Sequence, residues 1–411
     1  MRILHLLSQR PECTGSGIYL QNIICEAAAA GHQNFLVAGI PLNAPPRLSC
    51  IDEDHCSYVT FDGGDLPFPV PGMSDVMPYA SSRFRDLESR EIEAYRSAFA
   101  RRIRQAVETF RPEMIHTHHL WLMSSLARQL LRDLPMVVTC HSTDLRQYLN
   151  CPHLRPMVEE PCRAMDLVMA LSAHQAERIA GLYRISEGRI RVVGGGYDDV
   201  LFFWGEKEPA PPVHILYAGK LSRAKGVVWL LRALIRLDDP SVHLHLVGSG
   251  SGEEAAECEA LAGRLAGRVT LHGRQSQEQL AVLLRKSHLF VLPSFYEGLP
   301  LVLLEALASG CRVMATDLPG CRELLGAGDP DLVKLLPLPP LKGVDAPFPE
   351  DEPGLEALLA ECLARQVRRI MASPAPDQDA AARLTSPCNW REVFVRVAAV
   401  YEEVLPAQGP K

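Results

Sequence analysis

Two carboxylates, two lysines and a histidine are the residues of this 411-residue chain whose types and spacing suit chemistry. Glu297 and Glu305 lie eight residues apart within VLPSFYEGLPLVLLEALASGCRVMATDLPG, residues 291–320. Glu297 falls in a polar loop, and Glu305 inside a helix that opens near Pro300 and stops at Gly310. Proline in a first turn wastes no N–H, and glycine is a natural helix stop. A helix start carries free N–H groups and partial positive charge, so the backbone from Leu299 to Leu303, with Leu301 and Val302 inside it, is an expected phosphate site. Carboxylates on either side suit hydroxyls instead, because a carboxylate accepts bonds from a vicinal OH pair. The pattern predicts a nucleotide sugar: pyrophosphate on the N–H groups, ribose on one acid and hexose on the other.

The lysines belong to GKLSRAKG, residues 219–226, a turn after the apolar run His214–Ala218. A turn that carries Lys220, Arg223 and Lys225 into a helix start is built for phosphate. His141 follows the apolar run Met136–Cys140, at the strand end where open α/β sheets bind ligands. It can donate to a sugar hydroxyl or to a neighbouring carbonyl. Asp144 either orients that loop or accepts from an acceptor hydroxyl. His116 and His118 alternate onto one strand face, but no cysteine or carboxylate at ligand spacing completes a metal set, and none is expected. The Asp-x-Asp pairs Asp52/Asp54, Asp329/Asp331 and Asp377/Asp379 sit in loop-like surroundings.

These residues require strands to deliver them. Leu289–Leu292, the helix after Pro300 and Val313–Thr316 make a strand-loop-helix-strand unit. At the other end, Arg2–Leu7, the glycine turn Thr14–Gly17, a helix over Ile18–Ala30 and the strand Gln33–Ala38 begin a Rossmann half. A dehydrogenase is excluded: Leu20 stands where a third glycine belongs, and no acid ends the second strand. Residues 41–85 read as an aperiodic excursion and 85–110 as an amphipathic helix. The charged, proline-rich stretch 205–212 marks a boundary. The expected architecture is α/β, two Rossmann-like domains facing across a cleft, over 1–204 and 205–385, with a final helix in 386–411.

EGLPLVLLEA followed by SGCRVMATD resembles the E-x7-E signature of the family 4 retaining glycosyltransferases of the GT-B fold. The resemblance implies that Glu297 and the Gly298-Leu299-Pro300 stretch meet the donor sugar, and Glu305 the ribose. VVTCHSTD resembles the family's strand-His-x-x-Asp element, which puts His141 beside the donor sugar. The turn at Gly15, Ser16 and Gly17 would approach the donor phosphate or the acceptor. Lys225 matches the family's Gly-Arg-Leu-x-x-x-Lys-Gly pattern, whereas Lys220 replaces its arginine and loses the bidentate fork. Gly194 replaces an asparagine. The final helix would cross back to the first domain. A metal-independent transfer of a hexosyl unit from a nucleotide-diphospho-sugar is implied, with no cofactor and an acceptor that is a glycan, a lipid-linked compound or a small molecule. A sugar-nucleotide epimerase and a silent nucleotide-sugar-binding module are the rival readings.

Composition fits a globular protein: 47% hydrophobic, 22% charged, net charge −7. That balance argues against a general nucleic-acid binder. No apolar run approaches the ~18 residues of a spanning helix, so a soluble cytoplasmic enzyme is expected, with peripheral contact at the inner membrane surface left open. The 12 cysteines form no C-x-x-C pair, and a reduced compartment is expected, with Cys25, Cys140 and Cys311 as apolar fillers.

Overall fold

A computed structural model describes residues 1–405 apart from 13, 76, 266, 327 and 344. The chain forms two compact units, the first made of 1–195 with the segment from Trp390 onward, the second of 196–389.

Seven strands build the first sheet: β1 (Arg2–Leu7), β2 (Gln33–Pro41), β3 (Cys56–Phe61), β4 (Met114–His118), β5 (Met136–Thr139), β6 (Leu167–Ala170) and β7 (Ile190–Val192). Their order is β3-β2-β1-β4-β5-β6-β7, parallel throughout. Strands buried on both faces read as near-continuous apolar runs, which is why all of these but β3 were legible. Helices Ser89–Phe110 and Leu122–Leu130 pack on one face. On the other, Gly15–Ala29 and Trp390–Val404 cover Ile3, Met114 and Val137. The last helix buries Trp390, Val393, Phe394, Val397, Val400 and Tyr401 there. At ~1.5–3 kcal/mol per large apolar side chain this is on the order of 10 kcal/mol, ample to hold the helix on this unit.

The second sheet contains β8 (Val213–Ala218), β9 (Val242–Val247), β10 (Val269–Gly273), β11 (Leu289–Leu292), β12 (Arg312–Thr316) and β13 (Val333–Leu336). Its order β10-β9-β8-β11-β12-β13 is also all parallel. Strand order reverses beside the first strand in each sheet, between β1 and β4 and between β8 and β11. Crevices at such reversals, beyond the carboxyl ends of the strands, are where these folds bind ligands.

Several expectations are corrected. The units divide at 195/196, ahead of the 205–212 stretch, because Tyr197 and Phe202 are buried in the second core. Nor is 205–212 a free linker. The Lys207 ammonium is buried there and donates to the carbonyls of Leu284, Arg285 and Ser309 at 2.9, 3.0 and 2.9 Å. It thereby caps the carboxyl ends of two helices, Gln277–Lys286 and Val302–Ala308, where a cation complements the dipoles. Residues 41–85 contain β3, paired in parallel with β2. They are also tied down by a Cys25–Cys50 disulfide, so Cys25 is more than a filler and the reduced-thiol expectation fails at this pair. A helix spans Gly252–Gly263 between β9 and β10. Among the described residues no helix is long and apolar enough to cross a membrane.

Candidate active site

In the second unit the loop after β8, residues 219–226, meets the loop after β11, residues 293–301. Gly226 makes the approach possible: its φ is +70°, and a Cβ there would stand 1.9 Å from the Pro293 carbonyl oxygen. Phe295 N donates to Ala224 O at 2.9 Å and locks the loops together. The result is that Lys225 Nζ lies 2.6 Å from Glu297 Oε1. Lys220 is exposed on the rim, its carbonyl accepting from the Tyr217 hydroxyl at 2.7 Å. Arg223 turns away to Glu257, at 2.6 Å.

The helix carrying Glu305 is shorter than expected, Val302–Ala308. A tight turn precedes it, with Leu301 N donating to Leu299 O and Leu303 N to Pro300 O, both at 3.0 Å. Two N–H groups of the expected phosphate cradle are thus turned inward, because the chain must reverse sharply between Gly298 and the helix. Val302 opens the helix, and Gly298 and Leu299 stay partly exposed beside Glu297. Glu305 is only partly exposed. Burial, with the negative charge of Asp198 as the smaller cause, lifts its carboxyl from 4.5 to about 7. Asp198 had no signal in the sequence, since its link to Glu305 spans over a hundred residues.

In the first unit His141 follows β5. Ser142 beside it takes φ +68°, and His119 at the end of β4 takes φ +69°. Non-glycine residues pay for such conformations, and these persist where surrounding bonds over-determine them. Asp144 supplies those bonds: its carboxylate accepts from His141 N at 3.1 Å and from Leu120 N at 2.8 Å. The alternative left open by the sequence is thus decided, for the buried Asp144 orients the two loops. Gly15 and Ser16 are helical rather than a turn, since the helix Gly15–Ala29 opens at Gly15 with Thr14 as its cap. Gly17 packs where a Cβ would lie 2.5 Å from Pro11 O. The buried Ser16 hydroxyl is already occupied by Gln9 Nε2 at 2.8 Å and His119 Nε2 at 3.1 Å. It braces this loop, and of the three turn residues only Gly15 is exposed.

Sequence reasoning missed His5. Pairing of β1 with β4 sets it opposite His116 and brings His5, His116 and His118 together, fully buried. Ligand nitrogens of the three lie within 4.8 Å of one another. They are nevertheless arranged for hydrogen bonding. His116 uses both ring nitrogens, on the Tyr401 hydroxyl at 2.7 Å and Thr139 Oγ1 at 2.8 Å. Its ring stacks on His118, with centroids 4.3 Å apart and 30° between the planes. Burial holds His5 and His119 down to about 4 and His116, His118 and His141 well below the usual range, neighbouring histidines adding to the effect for the last three. All are neutral at pH 7. The three Asp-x-Asp pairs serve no shared site: Asp329 and Asp377 accept from backbone N–H groups of their own turns, and Asp52 precedes a one-turn helix.

Both units resemble known proteins. The model "Glycosyltransferase Family 4" matches residues 14–200 and "Glycosyl transferases group 1" residues 202–334, one on each unit. A glycogen synthase of Mycobacterium tuberculosis is 26% identical over 98% of this chain and 94% of its own length. A D-inositol 3-phosphate glycosyltransferase of Mycolicibacterium smegmatis is 28% identical over 58% of this chain and 60% of its own. In fold, the chain is similar to sucrose-phosphate synthase from Thermosynechococcus elongatus (TM-score 0.72, 21% identity, 99% and 100% of the two chains). It is also similar to Anabaena HepE solved with UDP-glucose (TM-score 0.62, 18% identity, 98% and 100%). Two parallel sheets of Rossmann order, each under its own matching model, leave one assignment: the chain is a glycosyltransferase of the GT-B fold and belongs to family 4.

Proposed function

We propose that the chain transfers a hexosyl unit, with retention of anomeric configuration, from a nucleotide-diphospho-sugar to an acceptor hydroxyl, without a metal ion on the diphosphate. The observation that carries this reading is the 2.6 Å pair between Lys225 and Glu297 at the strand-order reversal. In the free protein each neutralises the other. A diphosphate brings more negative charge than one carboxylate and draws the ammonium to itself, releasing Glu297 to accept from sugar hydroxyls. Lys220 adds a second cation, the Val302 helix start adds its dipole, and Glu305, once deprotonated, accepts from the ribose hydroxyl pair.

The acceptor oxygen bonds to the anomeric carbon as the bond from that carbon to the phosphate oxygen breaks. The nucleoside diphosphate departs with the bonding electrons and takes up the acceptor's proton. Attack from the face of departure preserves configuration, and the preorganised cations stabilise the charge that develops on the leaving group. His141 takes the role that its family-like strand-end position suggests, a hydrogen bond to the transferring sugar.

UDP-, GDP- and ADP-sugars incubated with the protein in EDTA test this, with UDP-glucose first. Binding and slow hydrolysis of one donor are expected, then transfer to a glycan, lipid-linked or small hydroxyl acceptor. Failure to bind or hydrolyse any donor would overturn the reading, and an inverted anomeric proton signal in the product would overturn retention.

A further inference from the structure

His141 is not held by its own loop alone. Its Nε2 lies 3.1 Å from His118 Nδ1, and the rings meet edge to edge, with centroids 5.4 Å apart and 21° between their planes. Tyr19 meets His141 edge-on at 5.2 Å, and His119 packs at 4.9 Å. Burial keeps both partners of the hydrogen bond neutral. Two neutral imidazoles joined nitrogen to nitrogen share one hydrogen at the contact, so one ring must donate and the other must accept. The tautomers are therefore complementary: the nitrogen that His141 leaves free carries a hydrogen only when His118 donates.

His118 is itself held by packing, its ring 4.3 Å from that of His116. It ends β4, one strand from His5, and is 1% exposed. Its Nε2 is buried with no partner among the described residues, as is His5 Nδ1. The state of His5 is set: Asn34 donates its amide to Ile24 O at 3.3 Å, which turns Oδ1 toward His5 Nε2 at 3.0 Å. His5 therefore carries its hydrogen on Nε2 and presents a bare Nδ1 to the interior. The ring of His118 thus has one polar contact that counts, the bond to His141.

We infer that His118 is the positioning residue of the transfer reaction: it holds the ring of His141 in place and dictates which of its nitrogens carries the hydrogen offered to the sugar. This rests on the reading that His141 meets the donor sugar. The bond itself does not, which allows the two to fail separately.

The experiment compares His118→Leu, His118→Asn and His118→Gln in the full chain. An asparagine amide sits near the Nδ1 position of the lost ring, whereas a glutamine amide reaches toward the Nε2 position. His118→Leu should lower kcat on the order of tenfold to a hundredfold, as for other outer hydrogen bonds that orient a working imidazole, while donor KM changes little. Asparagine should restore most of the rate and glutamine should not. Long-range ¹H–¹⁵N spectra of histidine-labelled protein should show complementary single tautomers at His118 and His141, replaced by an averaged His141 signal in His118→Leu. Unchanged kcat in His118→Leu, equal rescue by asparagine and glutamine, or a mixed tautomer in the wild type would each overturn the inference. So would stoichiometric zinc or copper in protein purified without chelator and lost in His118→Leu. Wild-type protein that turns over no donor but shows the paired tautomers would sink the functional reading and spare the positioning role.

Discussion

Replacing Glu305 with glutamine should make the protein more stable at pH 8 and leave it nearly unchanged at pH 4. The carboxyl is lifted from 4.5 to about 7, chiefly by burial. At 1.36 kcal/mol per unit this corresponds to about 3 kcal/mol. The sign follows from proton counts. Between the two values the folded chain keeps a proton that the unfolded chain releases, so stability falls as pH rises through this window. Below 4.5 both states are protonated and no penalty exists; above 7 it is fully in force. Glutamine cannot ionise and escapes it. Urea unfolding of both proteins at pH 4, 5, 6, 7 and 8, on the transition that the substitution moves, should show a difference growing to about 3 kcal/mol. The same carboxyl links binding to pH, because ribose hydroxyls need the charged form as acceptor. Nucleoside diphosphate affinity should rise up to about tenfold per unit below pH 7 in the wild type and stay flat in Glu305→Gln. A stability difference independent of pH would refute the argument.

Lys225→Ala removes a diphosphate cation and leaves Glu297 uncompensated; nucleotide Kd by calorimetry should rise on the order of tenfold to a hundredfold, since hydrogen bonds to charged groups contribute about 1.5–3 kcal/mol. Lys207→Met strips the carbonyls of Leu284, Arg285 and Ser309 of their shared donor, and chemical denaturation should find a loss of about 2–4 kcal/mol. Gly226→Ala forces a Cβ against the Pro293 carbonyl at positive φ; nucleotide binding should vanish while far-UV circular dichroism keeps its helical signal, because only the loop closure is broken.

The unit that carries Glu297 and Glu305 was legible because its parts are local. Glu297, Pro300, Glu305 and Gly310 fall within one strand-loop-helix unit, and helix stops and strand periods are written in neighbouring residues. Most strands of the two sheets were legible for the same reason, as apolar runs between turns, whereas β3 and β13 were not. What stayed hidden depends on pairings far apart in the chain. His5 means nothing beside Leu4 and Leu6, and becomes part of a buried polar layer only once β1 lies against β4. Lys207 sits in a stretch whose charge and prolines imitate a linker, because the carbonyls it caps lie 77 to 102 positions away. Ser16 looked free beside its glycines, yet its bond to His119 crosses over a hundred residues. Strand β3 lacked a clean alternation, since its first three positions are all partly exposed and only Val59 and Phe61 are buried.

The placement of the Trp390–Val404 helix on the first unit bears on how the protein is made. A nascent chain emerges amino end first, and domains generally fold as they emerge. The second unit is one continuous segment and has all its strands before Trp390 is synthesised. The first must wait: until that helix is translated, Ile3, Met114, Val137 and Met169 lack the cover it provides. The amino-terminal unit is therefore the last to be finished on the ribosome, and a chain cut short at Asn389 would carry a sound second unit joined to a sticky, half-closed first one.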